Sequence, residues 1–430
     1  MSERILDAYL DGTFIGAFSL TLGGTLAFVY SDSYLNRENP TPLSLSMPLG
    51  AERFKNRVVL PFLQGLLPDN PLALESMAAS YGVSSASPFA LLEHMGHDVA
   101  GALQLIRPGE KSEDSTADRH NVEPITNKGL AVRLKDIIGV YNDGARASTL
   151  QRMSLAGAQA KLAMTKLADG TWAIPSRGVP TTHIFKPRLI NSEAFPDSDI
   201  VELLCQNTLA MAGIPSAQTS LWDSPDGTIR AIVSQRYDRR LNSDGTYSRL
   251  HQEDLCQALS VPPSKKYQRN DGGPGVGQIS RLFQTRLSPG DGKIAARRFL
   301  QYLTANAFFL NTDAHAKNYS LMLSGSSATM APMYDTISIA AFLHDNQPAL
   351  SSMKIGKGYD MEQIFPETLI GEGTRLALTH SESEKVVSST ITALNKALTE
   401  TMEKMSNTDQ NGVLARTVTE IQRRSHLAAR

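Results

Sequence analysis

The sequence predicts an α+β fold, with a mixed N-terminal part and a β-rich middle ahead of a helical C-terminal half. Three observations carry this. Apolar strands separated by turn residues open the first third, and helical segments follow them. Strand signals resume at about residue 153 and run to about 238. From His251 onward, apolar residues keep helical spacing almost to the end of the chain. With 430 residues, the chain can bury more than one core.

The elements follow in order. RILDAYL and TFIGAFSL flank Asp11-Gly12, a favoured two-residue hairpin turn, and TLAFVY adds a third strand. Helices are expected over Pro71–Tyr81, opened by Asn70 and closed by Gly82, and over Pro88–Met95, capped by Ser87 and closed by Gly96. RPGEKSEDSTADRHNVEP at 107–124 is polar, charged and aperiodic, which marks a linker. The β-rich stretch is broken by one helix over 200–212, with Asp199 as N-cap, and Ser224-Pro225-Asp226-Gly227 turns a second hairpin. FLQYLTANAFFL is a buried helix, and Val386, Val387, Ile391, Leu394, Leu398, Met402 and Met405 continue the helical period. The expected organisation is an N-terminal subdomain at 1–106, a linker with a connecting helix at 107–150, a β-rich region at 151–240 and a helical region at 241–430.

Composition excludes several classes. A net charge of −1 gives no strong nonspecific pull toward nucleic acid or an anionic membrane. The two cysteines, Cys205 and Cys256, fall in apolar helical patterns, which suits a reducing compartment better than a disulfide framework. MSERILDAYLDG has no uninterrupted apolar segment of the signal-peptide kind, and no run approaches the roughly 18 apolar residues of a membrane span. A soluble cytoplasmic protein is expected.

The chemistry concentrates at TDAHAKN, residues 312–318. YSLML after it reads as a strand, SGSS as a turn and ATMAPM as the returning strand, followed by Tyr334-Asp335. A hairpin returns its ends to one place, so Asn318 and Asp335 should lie side by side. An amide oxygen beside a carboxylate suits Mg2+, which takes a few protein oxygens and completes its octahedron with water and phosphate. Asp313 is then available to accept a proton from an attacking hydroxyl, the arrangement phosphoryl transfer uses. Singly, these residues also read as loop or cap positions; three at compatible spacing point to function. A zinc hydrolase would need more imidazoles: His315 has His183 and His251 as possible partners, but neither lies in a helical ligand pair, so the expectation is that the loop positions His315.

Nucleotide phosphates need cations. TTHIFKP offers Lys186 at the end of a short strand, and Glu202 follows sixteen residues later in the first turn of a helix. A strand lysine held by a helix glutamate is one way to position it, but Asp199-x-x-Glu202 is equally a capping box. SLAGAQAK, from Ser154 to Lys161, reads as a phosphate-covering loop or as a tight turn between strands. SQRYDRR, at the passage from the β-rich to the helical part, reads as a backbone contact for adenine or as surface charge.

Taken in order, SLAGAQAK, TTHIFKP, SQRYDRR, HQEDLCQAL, KKYQRNDGGPG, TDAHAKN and PMYDTIS closely resemble the HipA family of serine/threonine kinases, toxin halves of bacterial toxin–antitoxin pairs. PLSLSMPL, FLQGLLPDNP and PFALLEHMGHDVAGALQLI resemble that family's N-terminal subdomain. The resemblance covers nearly the whole chain. It implies a bilobal protein-kinase-like fold with an added N-terminal α/β subdomain and an all-α C-terminal lobe, using ATP and Mg2+ to phosphorylate protein serines. It further implies Asp313 as catalytic base, Asn318 and Asp335 as metal ligands, and Lys186, Lys161, His315 and Gln252 at the nucleotide. Gln235 and Tyr237 fall at the adenine hinge, and Ser154 is the autophosphorylated serine. Gln235 is a departure, because some members carry glutamate there, so only a backbone contact would survive. The implied substrate is a protein of translation such as an aminoacyl-tRNA synthetase. The implied partner is a helix-turn-helix antitoxin docked on the N-terminal subdomain, which holds none of the proposed kinase residues; operator DNA is reached only through that partner. Two other readings are a small-molecule phosphotransferase on a related fold and a catalytically dead corepressor module.

Overall fold

Asp11 and Gly12 both take positive φ, 45° and 77°, which closes the turn between strands Arg4–Leu10 and Thr13–Leu20. The computed structural model describes residues 3–110, 122–145, 155–175, 178–188, 195–409 and 411–429. These two strands and Leu26–Tyr30, Phe54–Lys55 and Leu103–Ile106 form a five-stranded antiparallel sheet. Both expected helices form at their predicted bounds. The Asn70 side chain accepts the Ala73 N–H and Gly82 ends that helix at φ 68°, while the Ser87 hydroxyl accepts the Ala90 N–H.

The chain gathers into two compact units. One holds residues 1–187, 222–264 and 322–326; the other holds 188–221, 265–321 and 327–430. In the first unit a single apolar cluster runs from Leu6, Phe18 and Phe62 through Leu134 and Tyr141 to Phe185 and Val233. The N-terminal sheet and the β-rich segment therefore bury their apolar faces in one core. The second sheet of this unit carries, in spatial order, Arg230–Gln235, His183–Pro187, Leu162–Lys166, Trp172–Pro175 and Val122–Ile125. Val122–Ile125 lies in the stretch expected to be a linker. Pairing with Trp172–Pro175 orders it, and its Pro124 is tolerated because the strand is at the sheet edge.

The second unit is built of helices Ser198–Met211, Val276–Arg286, Pro289–Phe308, Pro366–Arg375, His380–Met405 and Val413–Arg424, with short hairpins between them. His380–Met405 packs against Pro366–Arg375, Pro289–Phe308 and Ser198–Met211. Helix Ser198–Met211 starts earlier than the sequence suggests. Asp197 is its N-cap, at φ 57°, and Asp199 lies inside the first turn, so the expected Asp199–Glu202 capping box does not form. Cys205 and Cys256 are free and buried. Among the described residues, no helix is long and apolar enough to cross a membrane.

Candidate active site

In the second unit, helix Pro289–Phe308 delivers the chain into TDAHAKN through a pair of buried asparagines. Asn311 Nδ2 donates to Asn306 Oδ1 at 2.8 Å, and Asn306 Nδ2 donates to the Tyr319 hydroxyl at 2.9 Å. Asn311 Oδ1 in turn accepts the Asp313 N–H at 3.1 Å. The loop then folds on itself: the Asp313 carbonyl accepts the His315 N–H at 2.8 Å and Asn318 Nδ2 at 2.8 Å. Because the Asn318 nitrogen is spent on that carbonyl, its amide oxygen is left as the ligand-type atom. The Asp313 carboxylate is exposed and accepts the Tyr267 hydroxyl at 2.5 Å. The Tyr267 ring meets the buried His315 edge-on, with centroids 4.8 Å apart. His315 therefore helps to wall the loop.

The hairpin Ser320–Ser324 and Ser327–Met330 returns the chain as its spacing requires. The Ala331 N–H donates to the Ser320 carbonyl at 2.8 Å. The Tyr334 hydroxyl donates to the Lys317 carbonyl at 2.7 Å and so accepts from Ser320 Oγ, also at 2.7 Å. The Tyr334 side chain is thus clamped to the Lys317 backbone, which ties the segment that carries Asp335 to the loop that carries Asn318. Asp335 has φ 52°, and the Gln206 amide, oxygen toward the loop, accepts the Asp335 and Thr336 N–H groups at 3.3 and 3.2 Å. Glu202 lies on the same face of that helix, one turn before Gln206.

This donor set fits Mg2+. Among the described residues no three His, Cys, Asp or Glu side chains gather into a self-sufficient metal site. An amide oxygen and a carboxylate are a partial set, the kind Mg2+ completes with phosphate and water.

The first unit carries the nucleotide candidates. Gly157 has φ 116°, a backbone conformation that strains any residue with a Cβ, which favours glycine there. The Lys161 ammonium folds back onto the Ala156 carbonyl at 3.1 Å, and the Gly157 carbonyl accepts the Asp69 N–H at 3.0 Å. Leu162 pairs with Phe185, so the register puts Lys161 at the level of Lys186, which is buried. Two cations thus share one end of adjacent strands. Phe185 is held edge-on by Trp172 and Trp222, which fixes the strand that carries Lys186. Further along, Gln235 is exposed, and the Tyr237 hydroxyl donates to Gln252 Oε1 at 2.5 Å. Gln252 Nε2 donates to Asp238 at 3.1 Å.

Within each unit, then, some residues chosen from sequence come together: Asp313, His315 and Asn318 in one loop of the second unit, and Lys161 with Lys186 and Tyr237 with Gln252 in the first. Asp335 lies on the segment tied to that loop through Tyr334. Glu202 and Lys186 belong to different units. Ser154 lies outside the described residues. Sequence reasoning gave no role to Tyr267, Tyr334, Gln206 or Asp238. Tyr267 and Tyr334 stand inside recognised motifs, KKYQRNDGGPG and PMYDTIS, and that is the signal that could have found them.

Residues 6–106 match the HipA N-terminal domain, and residues 153–406 match the HipA-like C-terminal domain. The chain is 36% identical over 411 residues to a putative kinase, Y4mE, of Sinorhizobium fredii, covering 94% of both. It is 28% identical to the serine/threonine-protein kinase toxin HipA of Shewanella oneidensis, over 84% of this chain and 80% of that one. A chain from a solved complex of Shewanella oneidensis HipA, HipB and operator DNA superposes with a TM-score of 0.80 at 23% identity, covering 98% of this chain and 97% of that one, and so shares its fold. The chain belongs to the HipA family of kinases.

Proposed function

We propose that the chain is an ATP- and Mg2+-dependent serine/threonine-protein kinase, the toxin of a toxin–antitoxin pair, acting on a protein of translation such as an aminoacyl-tRNA synthetase. The observation that supports this reading is the clamp of Tyr334 on Lys317, which ties the segment carrying Asp335 to the loop that presents Asp313 and Asn318. Asp313 accepts the proton of a serine or threonine hydroxyl as the new O–P bond forms and ADP leaves. Asn318 and Asp335 hold Mg2+, which when bound supplies charge neutralisation at the phosphates. Lys186, Lys161 and the backbone of Ser154–Lys161 hold the phosphates, and His315 steadies the catalytic loop. Glu202 is the ion-pair candidate for Lys186. Gln235, through its backbone, with Tyr237 and Gln252 receives adenine, and Ser154 is the autophosphorylation site.

The partner we propose is a helix-turn-helix antitoxin that carries the chain to operator DNA. The relative of the same fold, solved with HipB and operator DNA, supports this. So does the chain's net charge of −1, which favours no direct binding to DNA.

The test is incubation of the purified chain with ATP labelled on its γ-phosphate in a bacterial lysate, with mass spectrometry of labelled proteins. Phosphoserine or phosphothreonine on one or a few proteins of translation is expected, with a phosphate on Ser154 of the chain itself. Label confined to small metabolites would replace this reading with a small-molecule phosphotransferase.

A further inference from the structure

Asp98 belongs to the N-terminal segment, far in sequence from the arginines it meets, yet it is the hub of a buried charge network in the first unit. Its Oδ1 accepts Arg239 Nη2 at 2.8 Å and Arg249 Nε at 3.4 Å. Its Oδ2 accepts the Thr181 N–H at 3.0 Å, the Thr181 hydroxyl at 2.6 Å and Arg236 Nη1 at 3.5 Å. Arg236 then forks onto Asp238 through bonds of 2.9 and 2.8 Å. Asp238 Oδ2 also accepts the Gly101 N–H at 2.7 Å and Gln252 Nε2 at 3.1 Å, and the Tyr237 hydroxyl closes the chain on Gln252. The backbone beside Asp98 joins in: the Val99 carbonyl accepts Arg236 Nη2 and the Gly101 carbonyl accepts Arg239 Nη1, both at 2.8 Å. Gly101 has φ 79°, and a Cβ there would lie 2.8 Å from the Gln252 nitrogen.

The burial pattern shows what this network serves. Arg236 and Asp238 are 5% and 2% exposed, whereas Gln235 is exposed and Tyr237 half-exposed. Alternate residues of this segment thus point inward as anchors and outward toward solvent. Burial pushes the Asp98 carboxyl up, but Arg239, Arg236 and Arg249 outweigh it and hold it at about 2, so the hub is charged at working pH.

We infer that Asp98 is a positioning residue for nucleotide binding: through Arg236 and Asp238 it sets the orientation of Tyr237 and Gln252. The inference rests on reading 235–237 and Gln252 as the adenine site, and it makes the N-terminal subdomain part of that site rather than only a docking surface. Asp98→Asn preserves shape but removes the charge that three guanidinium groups share. ATP affinity, measured by calorimetry, should fall about tenfold or more, as expected when one partner of a buried ion network is lost. The transfer rate at saturating ATP should stay within about twofold, since uniform binding is what has been removed. Leu91→Ala, a cavity in the core of the same subdomain, is the stability control and should leave ATP affinity unchanged. If Asp98→Asn does not fold, Thr181→Val takes its place, deleting only the hydroxyl between Asp98 and Arg236; a rise of about threefold in the ATP dissociation constant is expected of that smaller loss. Unchanged affinity in the folded variant, or an equal loss in Leu91→Ala at matched melting temperature, overturns the inference alone. A wild-type chain that binds no ATP overturns the nucleotide reading with it.

Discussion

Tyr334→Phe removes one oxygen and keeps the ring, and that oxygen ties together the segments that carry the two proposed metal-ligand residues. The lost bonds are the donation to the Lys317 carbonyl and the acceptance from Ser320 Oγ, each 2.7 Å long. Lys317 and Ser320 are 6% and 4% exposed, so water cannot readily replace the hydroxyl, and the unmet carbonyl costs about 1–3 kcal/mol. Part of that cost is relieved by letting residues 334 and 317 drift apart, which loosens the segment of Asp335 against the loop of Asn318. Outer partners that orient metal ligands are commonly worth about 10–100-fold in metal affinity. We therefore expect the Mg2+ concentration for half-maximal transfer to rise about tenfold, near 1.4 kcal/mol, with ATP saturating. The assay is a Mg2+ titration of labelled-phosphate transfer beside a melting curve. Ser320→Ala, which leaves the Lys317 bond in place, should shift the midpoint less. A lower melting temperature with an unmoved Mg2+ midpoint would refute the reasoning and leave the clamp a purely structural contact.

Two further outcomes are expected. Tyr267→Phe deletes the donor to the Asp313 carboxylate but keeps the ring against His315; a hydrogen bond to a charged group is worth about 1.5–3 kcal/mol, so transfer should fall about tenfold with ATP affinity unchanged, and an undiminished rate would contradict this. Burial pushes the Glu253 carboxyl up to about 8, outweighing its bonds from the Leu45 N–H and the Ser44 hydroxyl, so its contribution to stability is full below its unfolded value near 4.3 and is lost as pH rises toward 8. Glu253→Gln should flatten that fall, at most about 1.4 kcal/mol per pH unit, and be the more stable protein at pH 8; parallel stability-versus-pH curves would contradict it.

Local chemistry was legible. Asp11-Gly12, Asn70 with Gly82, and Ser87 each fix a turn or a helix end through bonds within a few residues, and each formed where expected. The hairpin that follows Asn318 was legible too, because its strand and turn signals are local. Long-range pairing was not. Asp98 meets Arg239 across 141 positions and Tyr267 meets Asp313 across 46, and no periodicity announces either. Pairing with a neighbouring strand orders Val122–Ile125 against its own polar composition. Asp197, at φ 57°, opens its helix without a side-chain cap, so the better capping residue, Asp199, drew the boundary too late.

The most direct test of the account compares the wild-type chain with Asp313→Asn in single-turnover transfer of the γ-phosphate of ATP to an acceptor protein, with ATP occupancy matched by equilibrium binding. Loss of a positioned base predicts a fall of about 100-fold or more in the transfer rate, with ATP affinity nearly unchanged. Transfer by Asp313→Asn at close to the wild-type rate would contradict the assignment of that carboxylate, and with it the catalytic loop on which the function rests.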